Sequence, residues 1–101
     1  MEFELLIQPP ALDDIQEAID YYDFQKDGLG EEFEEEEEVN NYLISISKTK
    51  FFQVRYDEVR CLPLKRFPYM THYSVDEDKK LIIVRAVFNT HRSPEIWKER
   101  D

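Results

Sequence analysis

Leu81-Ile82-Ile83-Val84-Arg85-Ala86-Val87-Phe88 is the stretch whose reading decides the fold. It is almost continuously apolar and rich in β-branched side chains, and far short of the ~20 residues of a membrane span. Such a run predicts a strand covered on both faces, the central strand of a sheet. Working back from it, Asp76-Glu77-Asp78-Lys79-Lys80 is a charged turn, and residues 69–75 and 59–64 are two more strands. Pro63 marks an edge or a bulge, because proline gives the ladder no N–H. Asp57-Glu58 is a turn, and Phe52-Gln53-Val54-Arg55-Tyr56 alternates as a strand does. Beyond the central run, residues 89–101 are polar except Ile96 and Trp97.

The first half of the chain reads differently. Phe3, Leu5 and Ile7 alternate with Glu2, Glu4 and Gln8, a strand with one buried face that Pro9-Pro10 ends. Ala11, Leu12, Ile15, Ala18, Ile19 and Tyr22 then recur at helical spacing. Asp13 and Asp14 are expected in the first turn, where carboxylates complement the helix dipole. Lys26-Asp27-Gly28-Leu29-Gly30 is a turn, and a second helix is expected from about Gly30 to about Ser47. Phe33, Val39, Tyr42, Leu43 and Ile46 supply its apolar positions, although Glu36, Glu37 and Asn40 fall near the face that Phe33 begins. Residues 31–38 are expected to form a solvated face. The order predicts an α+β fold. It has one N-terminal strand, two antiparallel helices, then a four-strand, mainly antiparallel sheet with the helices on one side.

At 101 residues the chain is one domain, residues 1–101, able to bury roughly 65% of its unfolded surface in a single core. It is 42% hydrophobic and 14% aromatic, too rich in core residues for a disordered chain. A single cysteine, Cys61, excludes an internal disulfide and a multi-cysteine zinc site. The start Met1-Glu2-Phe3-Glu4 lacks the basic opening of a signal peptide, so a cytoplasmic location is expected. The net charge of −10 is unevenly placed: residues 1–40 hold 15 acids and one base, residues 41–101 hold 12 bases and eight acids. The mildly basic second half can face an anionic partner even though the whole chain is acidic.

This order, together with several local strings, resembles the RelE/ParE superfamily of toxins from type II toxin–antitoxin (plasmid stabilisation) systems. Ala11-Leu12-Asp13-Asp14-Ile15 and Ala18-Ile19-Asp20-Tyr21-Tyr22 are similar to its first helix, and Gly28-Leu29-Gly30-Glu31-Glu32-Phe33 to its interhelical turn. Val54-Arg55-Tyr56, Val59-Arg60, Leu64-Lys65-Arg66-Phe67-Pro68-Tyr69 and Tyr73 resemble its middle strands. Val87-Phe88-Asn89-Thr90-His91-Arg92-Ser93-Pro94, with Trp97 after it, resembles its closing segment. The resemblance implies a bacterial toxin with no cofactor and no membrane association. It would be held inactive by a cognate antitoxin, an acidic or amphipathic segment laid along the basic sheet. RelE-like members cut messenger RNA on the ribosome without metal, and ParE-like members inhibit DNA gyrase. A shared fold does not choose between these targets, nor exclude a degenerate member that only binds an antitoxin. The oligomeric state is left open.

Metal-free RNA cleavage needs a base for the 2′-OH, cations for the charged phosphorane and an acid for the leaving 5′-oxygen. Arg55, Arg60, Lys65, Arg66, Arg85 and Arg92 offer cations, and His72 and His91 can carry protons. The candidate cluster is Lys65, Arg66, His91 and Arg92, supported by Arg60 and Tyr73, expected to converge on one exposed concave patch. The departures weaken the nuclease reading. Cys61 and Pro63 stand where RNA-cleaving relatives carry bases, and Met70 where such relatives can carry arginine. Asn89 stands where histidine is frequent, and asparagine exchanges no proton near neutrality.

Structural roles compete with each of these. Lys65 and Arg66 can guard a sheet edge. Arg92-Ser93-Pro94 can be a turn docking Trp97 on the sheet. His72 suits a surface or half-buried strand position, Tyr69 and Tyr73 suit a core, and Cys61 suits an inert, partly buried thiol.

Overall fold

Pro9 and Pro10 stop one element and open the next. The computed structural model describes residues 3–46, 54–56 and 58–91. Strand β1 (Glu4–Ile7) runs into helix α1 (Pro9–Gln25), with Gln8 extended at φ −71°, ψ 150° before the two prolines. Proline costs nothing there because the first N–H groups of a helix have no intrahelical acceptor. Since the helix begins at Pro9, Asp13 and Asp14 lie in its second turn, not its first. Asp14 is buried, and its Oδ2 accepts the backbone N–H of Val87 at 3.0 Å, joining α1 to the sheet.

Gly28, at φ +85°, turns the chain into helix α2 (Leu29–Ile46). Asp23 Oδ1 accepts the Gly30 N–H at 2.8 Å, satisfying a donor at the helix start. The two helices touch at Gly30: a Cβ there would sit 2.5 Å from the Ile19 carbonyl oxygen. On α2 the buried face is Phe33, Glu37, Asn40 and Ile44, spaced four, three and four residues apart. This corrects the expectation of a solvated face over residues 31–38. Glu31, Glu34, Glu35 and Glu38 are exposed, but Glu37 points into the protein at 2% exposure.

Strands β2 (Val54–Tyr56), β3 (Val59–Pro63), β4 (Tyr69–Asp76) and β5 (Leu81–Asn89) complete one sheet in the order β1-β5-β4-β3-β2. The later strands pair antiparallel in sequence, but β1 pairs parallel with β5, Glu4 beside Leu81 and Ile7 beside Val84. The sheet is therefore mixed. The helical pair between β1 and β2 lets the chain return for a parallel partner. The apolar run 81–88 is interior, as its composition demands, while β4 occupies the middle of the sheet.

The core lies between sheet and helices. Ala11, Ala18, Phe33 and Ile44 meet Leu64, Phe67, Tyr73, Ile82, Val84 and Val87. Phe33 is its hub, its ring centroid 5.7 Å from Tyr22, 5.3 Å from Phe67 and 5.1 Å from Tyr69. Thr71 and Tyr73 face α2 and this core, so period two puts Met70 and His72 on the other face. There Cys61, Met70, Ala86 and Phe88 form a second buried cluster. A register shift between His72 and Tyr73 inserts Arg85 as an extra residue on β5.

Gly30→Ala is expected to lower stability by about 1–3 kcal/mol, the range for overpacking, since the atom it meets is backbone of α1 and yields only if the helix moves. A denaturation midpoint equal to wild type would show that the helices do not pack this closely.

Candidate functional site

Loop 64–68 joins β3 to β4. Leu64 and Phe67 are buried, and Lys65, Arg66 and Pro68 are exposed. Leu64 N–H donates to Tyr69 O at 2.9 Å and Tyr69 N–H to Phe67 O at 2.8 Å. Two apolar anchors and a closed backbone thus fix the direction in which Lys65 and Arg66 project.

Arg66 is engaged by α2. Its Nε lies 2.6 Å from Glu36 Oε2, its Nη1 2.8 Å from Glu32 Oε1, and its backbone N–H donates to Glu36 Oε1 at 2.8 Å. Partial burial pushes the Glu36 carboxyl up, but the backbone and side-chain hydrogen bonds from Arg66 together outweigh it and hold the carboxyl below its usual value. The hydrogen bonds to Glu36, then Glu32, raise the guanidinium in turn. An arginine held by two carboxylates has most of its bidentate capacity committed before any phosphate arrives.

The end of β5 reaches the same place. Asn89 is the register partner of Tyr69, Thr90 N–H donates to Pro68 O at 2.7 Å, and His91 N–H donates to Asn89 Oδ1 at 2.8 Å. Lys65, Arg66 and the exposed His91 therefore share one end of the sheet. Arg92, like Arg55's side chain, Trp97 and the Ser93-Pro94 turn, lies outside the described residues. The supporting residues do not join the group. Tyr73 is fully buried and presents no ring to a nucleotide. Arg60 sits near the other end of β3, where it lines a groove of about 630 Å³ with Ser74, Asp76, Asp78 and Arg85. In that groove Arg85 Nε donates to Ser74 Oγ at 2.8 Å.

The departures noted on the third and fourth strands fall on the sheet face away from the helices. Cys61 is 3% and Met70 7% exposed, in contact with Ala86 and Phe88. His72 is fully buried, not a surface or half-buried residue. Its ring packs edge-on to Phe88 at 5.2 Å, and its Nδ1 lies 3.5 Å from Cys61 Sγ. This face presents thioether, thiol and aromatic carbon where a nuclease needs cations. Among the described residues, no three His, Cys, Asp or Glu side chains gather to hold a metal ion, and no helix is long and apolar enough to cross a membrane.

Two pairings escaped the sequence reading. The Arg66 clamp joins residues some thirty positions apart, so local pattern carries no trace of it. The Asn40 contacts to β3 and β4 were signalled only by Asn40 falling near the Phe33 face. If α2 masks Arg66, Glu32→Gln with Glu36→Gln should raise the salt concentration that elutes the protein from heparin. Arg66→Ala should then cost more retention in that background than in wild type. Equal losses in the two backgrounds would show that the carboxylates do not hold the guanidinium in solution.

No protein-family model and no curated protein matches the chain. Solved structures do. A chain of the chromosomal ParDE toxin–antitoxin system from P. aeruginosa superposes with a TM-score of 0.72 at 16% identity, covering 86% of this chain and 95% of that one. The isolated E. coli RelE toxin superposes with a TM-score of 0.55 at 18% identity, covering 96% and 93%. The element order, the mixed sheet and these superpositions agree: the chain has the RelE/ParE toxin fold.

Proposed function

We propose that this chain is the toxin of a toxin–antitoxin pair, that it works in the cytoplasm, and that it arrests growth by occupying a protein target, such as DNA gyrase, without cutting RNA. The observation that carries this reading is the sheet face on which Cys61, Met70, Ala86 and Phe88 are packed together. General acid–base cleavage requires exposed proton carriers and cations around one phosphate. At these positions the protein has buried apolar side chains in place of exposed cations. The clamp on Arg66 supports the same reading, since two carboxylates already engage that guanidinium of the candidate cluster. The fold shared with a ParDE system and with RelE supports a cognate antitoxin as partner.

One observation supports the nuclease reading: loop 64–68, which carries Lys65 and Arg66, lies at the same end of the sheet as His91, the residue before Arg92. A single experiment separates the readings. Induced expression in a bacterial host should arrest growth with full-length messenger RNA intact, and the purified protein should inhibit gyrase supercoiling. Co-expression of a small antitoxin encoded beside it should restore growth. In-frame messenger cuts that vanish in Arg92→Ala would overturn the proposal in favour of a ribosome-dependent endonuclease. Normal growth with soluble, folded protein would instead leave a family member that binds an antitoxin and poisons nothing.

A further inference from the structure

Glu37 is the one carboxylate of α2's acidic run that is fully turned into the helix–sheet joint, at 2% exposure. Thr71, fully buried on β4, donates its hydroxyl to Glu37 Oε1 at 2.7 Å. Asn40 Nδ2 lies 3.3 Å from the Thr71 hydroxyl oxygen, 3.2 Å from Leu62 O and 3.4 Å from Pro63 O. The cluster thus ties α2 to β4, to the end of β3 and so to the start of loop 64–68. One turn earlier, Glu36 holds Arg66 in the same loop. Two acceptors in and beside the cluster, Glu37 Oε2 and Asn41 Oδ1, have no hydrogen-bond partner among the described residues. A proton on Glu37 adds the donor that the joint lacks, and removing it leaves a buried charge.

We infer that the Glu37–Thr71–Asn40 cluster is a proton-operated latch: the neutral carboxyl locks α2 and loop 64–68 onto the sheet, and ionisation of Glu37 loosens both. The groups that face it do not supply a counter-charge. On β4 they are Tyr69 and Tyr73. On β3 the charged residue is Arg60, the register partner of Tyr73, which lines the groove with Asp76 and Asp78 near the other end of the strand. On α1 there are Tyr22, stacked on Phe33, and Asp23, bonded to Gly30 N–H. On β1 the charged residue is the exposed Glu4, and in the loop Lys65 is exposed while Arg66 is held by Glu32 and Glu36. On α2 itself the neighbours Glu34, Glu36 and Glu38 add negative charge. Among the described residues no cation lies within ion-pair distance of Glu37.

Burial, opposed by the hydrogen bond from Thr71, raises the Glu37 carboxyl from 4.5 to about 7. Between those values the folded protein holds a proton that the unfolded chain has lost. Stability from this group is therefore complete below about pH 4.5, falls as pH rises through 7, and is gone above it.

The test is chemical unfolding of the full chain from pH 5 to pH 8, wild type beside Glu37→Gln. The wild-type folding constant should fall on the order of fiftyfold more than the variant's over that interval, and the variant should be the more stable of the two at pH 8. Amide exchange at Arg66 and Phe67, corrected for intrinsic rates, should accelerate in wild type between pH 6 and pH 8 and not in the variant. Parallel pH profiles, or a variant less stable at both ends, would overturn the latch. If Glu37→Gln does not fold, the carboxyl carbon of Glu37 in the wild-type protein decides by NMR. A titration midpoint near 7 supports the latch, and one near 4.5 removes it.

Discussion

Three elements around the candidate site, α1, loop 64–68 and β4, meet at the ring of Phe33. Tyr22 from α1, Phe67 from loop 64–68 and Tyr69 from β4 converge on it. Aromatic contacts of this kind add about 0.5–1.5 kcal/mol each beyond the area they bury. Their geometry matters more here than their sum. Because Phe67 is pinned by a residue of the helix hairpin, the two loop residues before it have only solvent and the flank of α2 to occupy. The direction of Lys65 and Arg66 is thus set from inside the core.

That arrangement also resolves the lopsided charge of the chain. The acidic first forty residues and the basic remainder look like two surfaces awaiting separate partners. In the folded protein they partly answer one another, Glu32 and Glu36 reaching the same guanidinium. An exposed pair of this sort contributes little to stability. Its effect is on recognition: it lowers the positive potential at one end of the sheet. Any anionic ligand approaching there must compete with carboxylates already in place. An apolar, shape-reading partner meets no such competition.

Much of this was legible in the residues. The run 81–88, the proline pair after β1, the glycine turn between helices and the alternating strands each follow from period and turn chemistry. The element order follows from them, as does the placement of Tyr73 in the core. What the sequence concealed was non-local. Nothing in residues 4–7 says that their partner is β5 or that the pairing is parallel. Nothing in a row of glutamates says which one will turn inward. The helical period put Glu37 near the face that Phe33 begins, but the apolar positions expected to complete that face, Val39, Tyr42, Leu43 and Ile46, are exposed, and Ile44 is buried there instead. The outcome depends on Thr71, which lies on β4 and offers its hydroxyl at that spot. For the candidate cluster of Lys65, Arg66, His91 and Arg92, the Tyr69–Asn89 register puts loop 64–68 and the end of β5 at one end of the sheet, and Arg92 lies outside the described residues. Arg60 and Tyr73 fall elsewhere because strand alternation and distance along β3 separate them.

The parallel pairing of β1 with β5 has a consequence for how the protein comes into being. Strand β1 pairs with a segment far along the chain, Glu4 beside Leu81. Contacts between such distant segments form late, because a long loop must close before they are rewarded. The helix hairpin can assemble early, but until residues 81–89 emerge its apolar face has no complete sheet to cover. A half-made copy is an exposed hydrophobic hairpin and not a smaller version of the finished molecule.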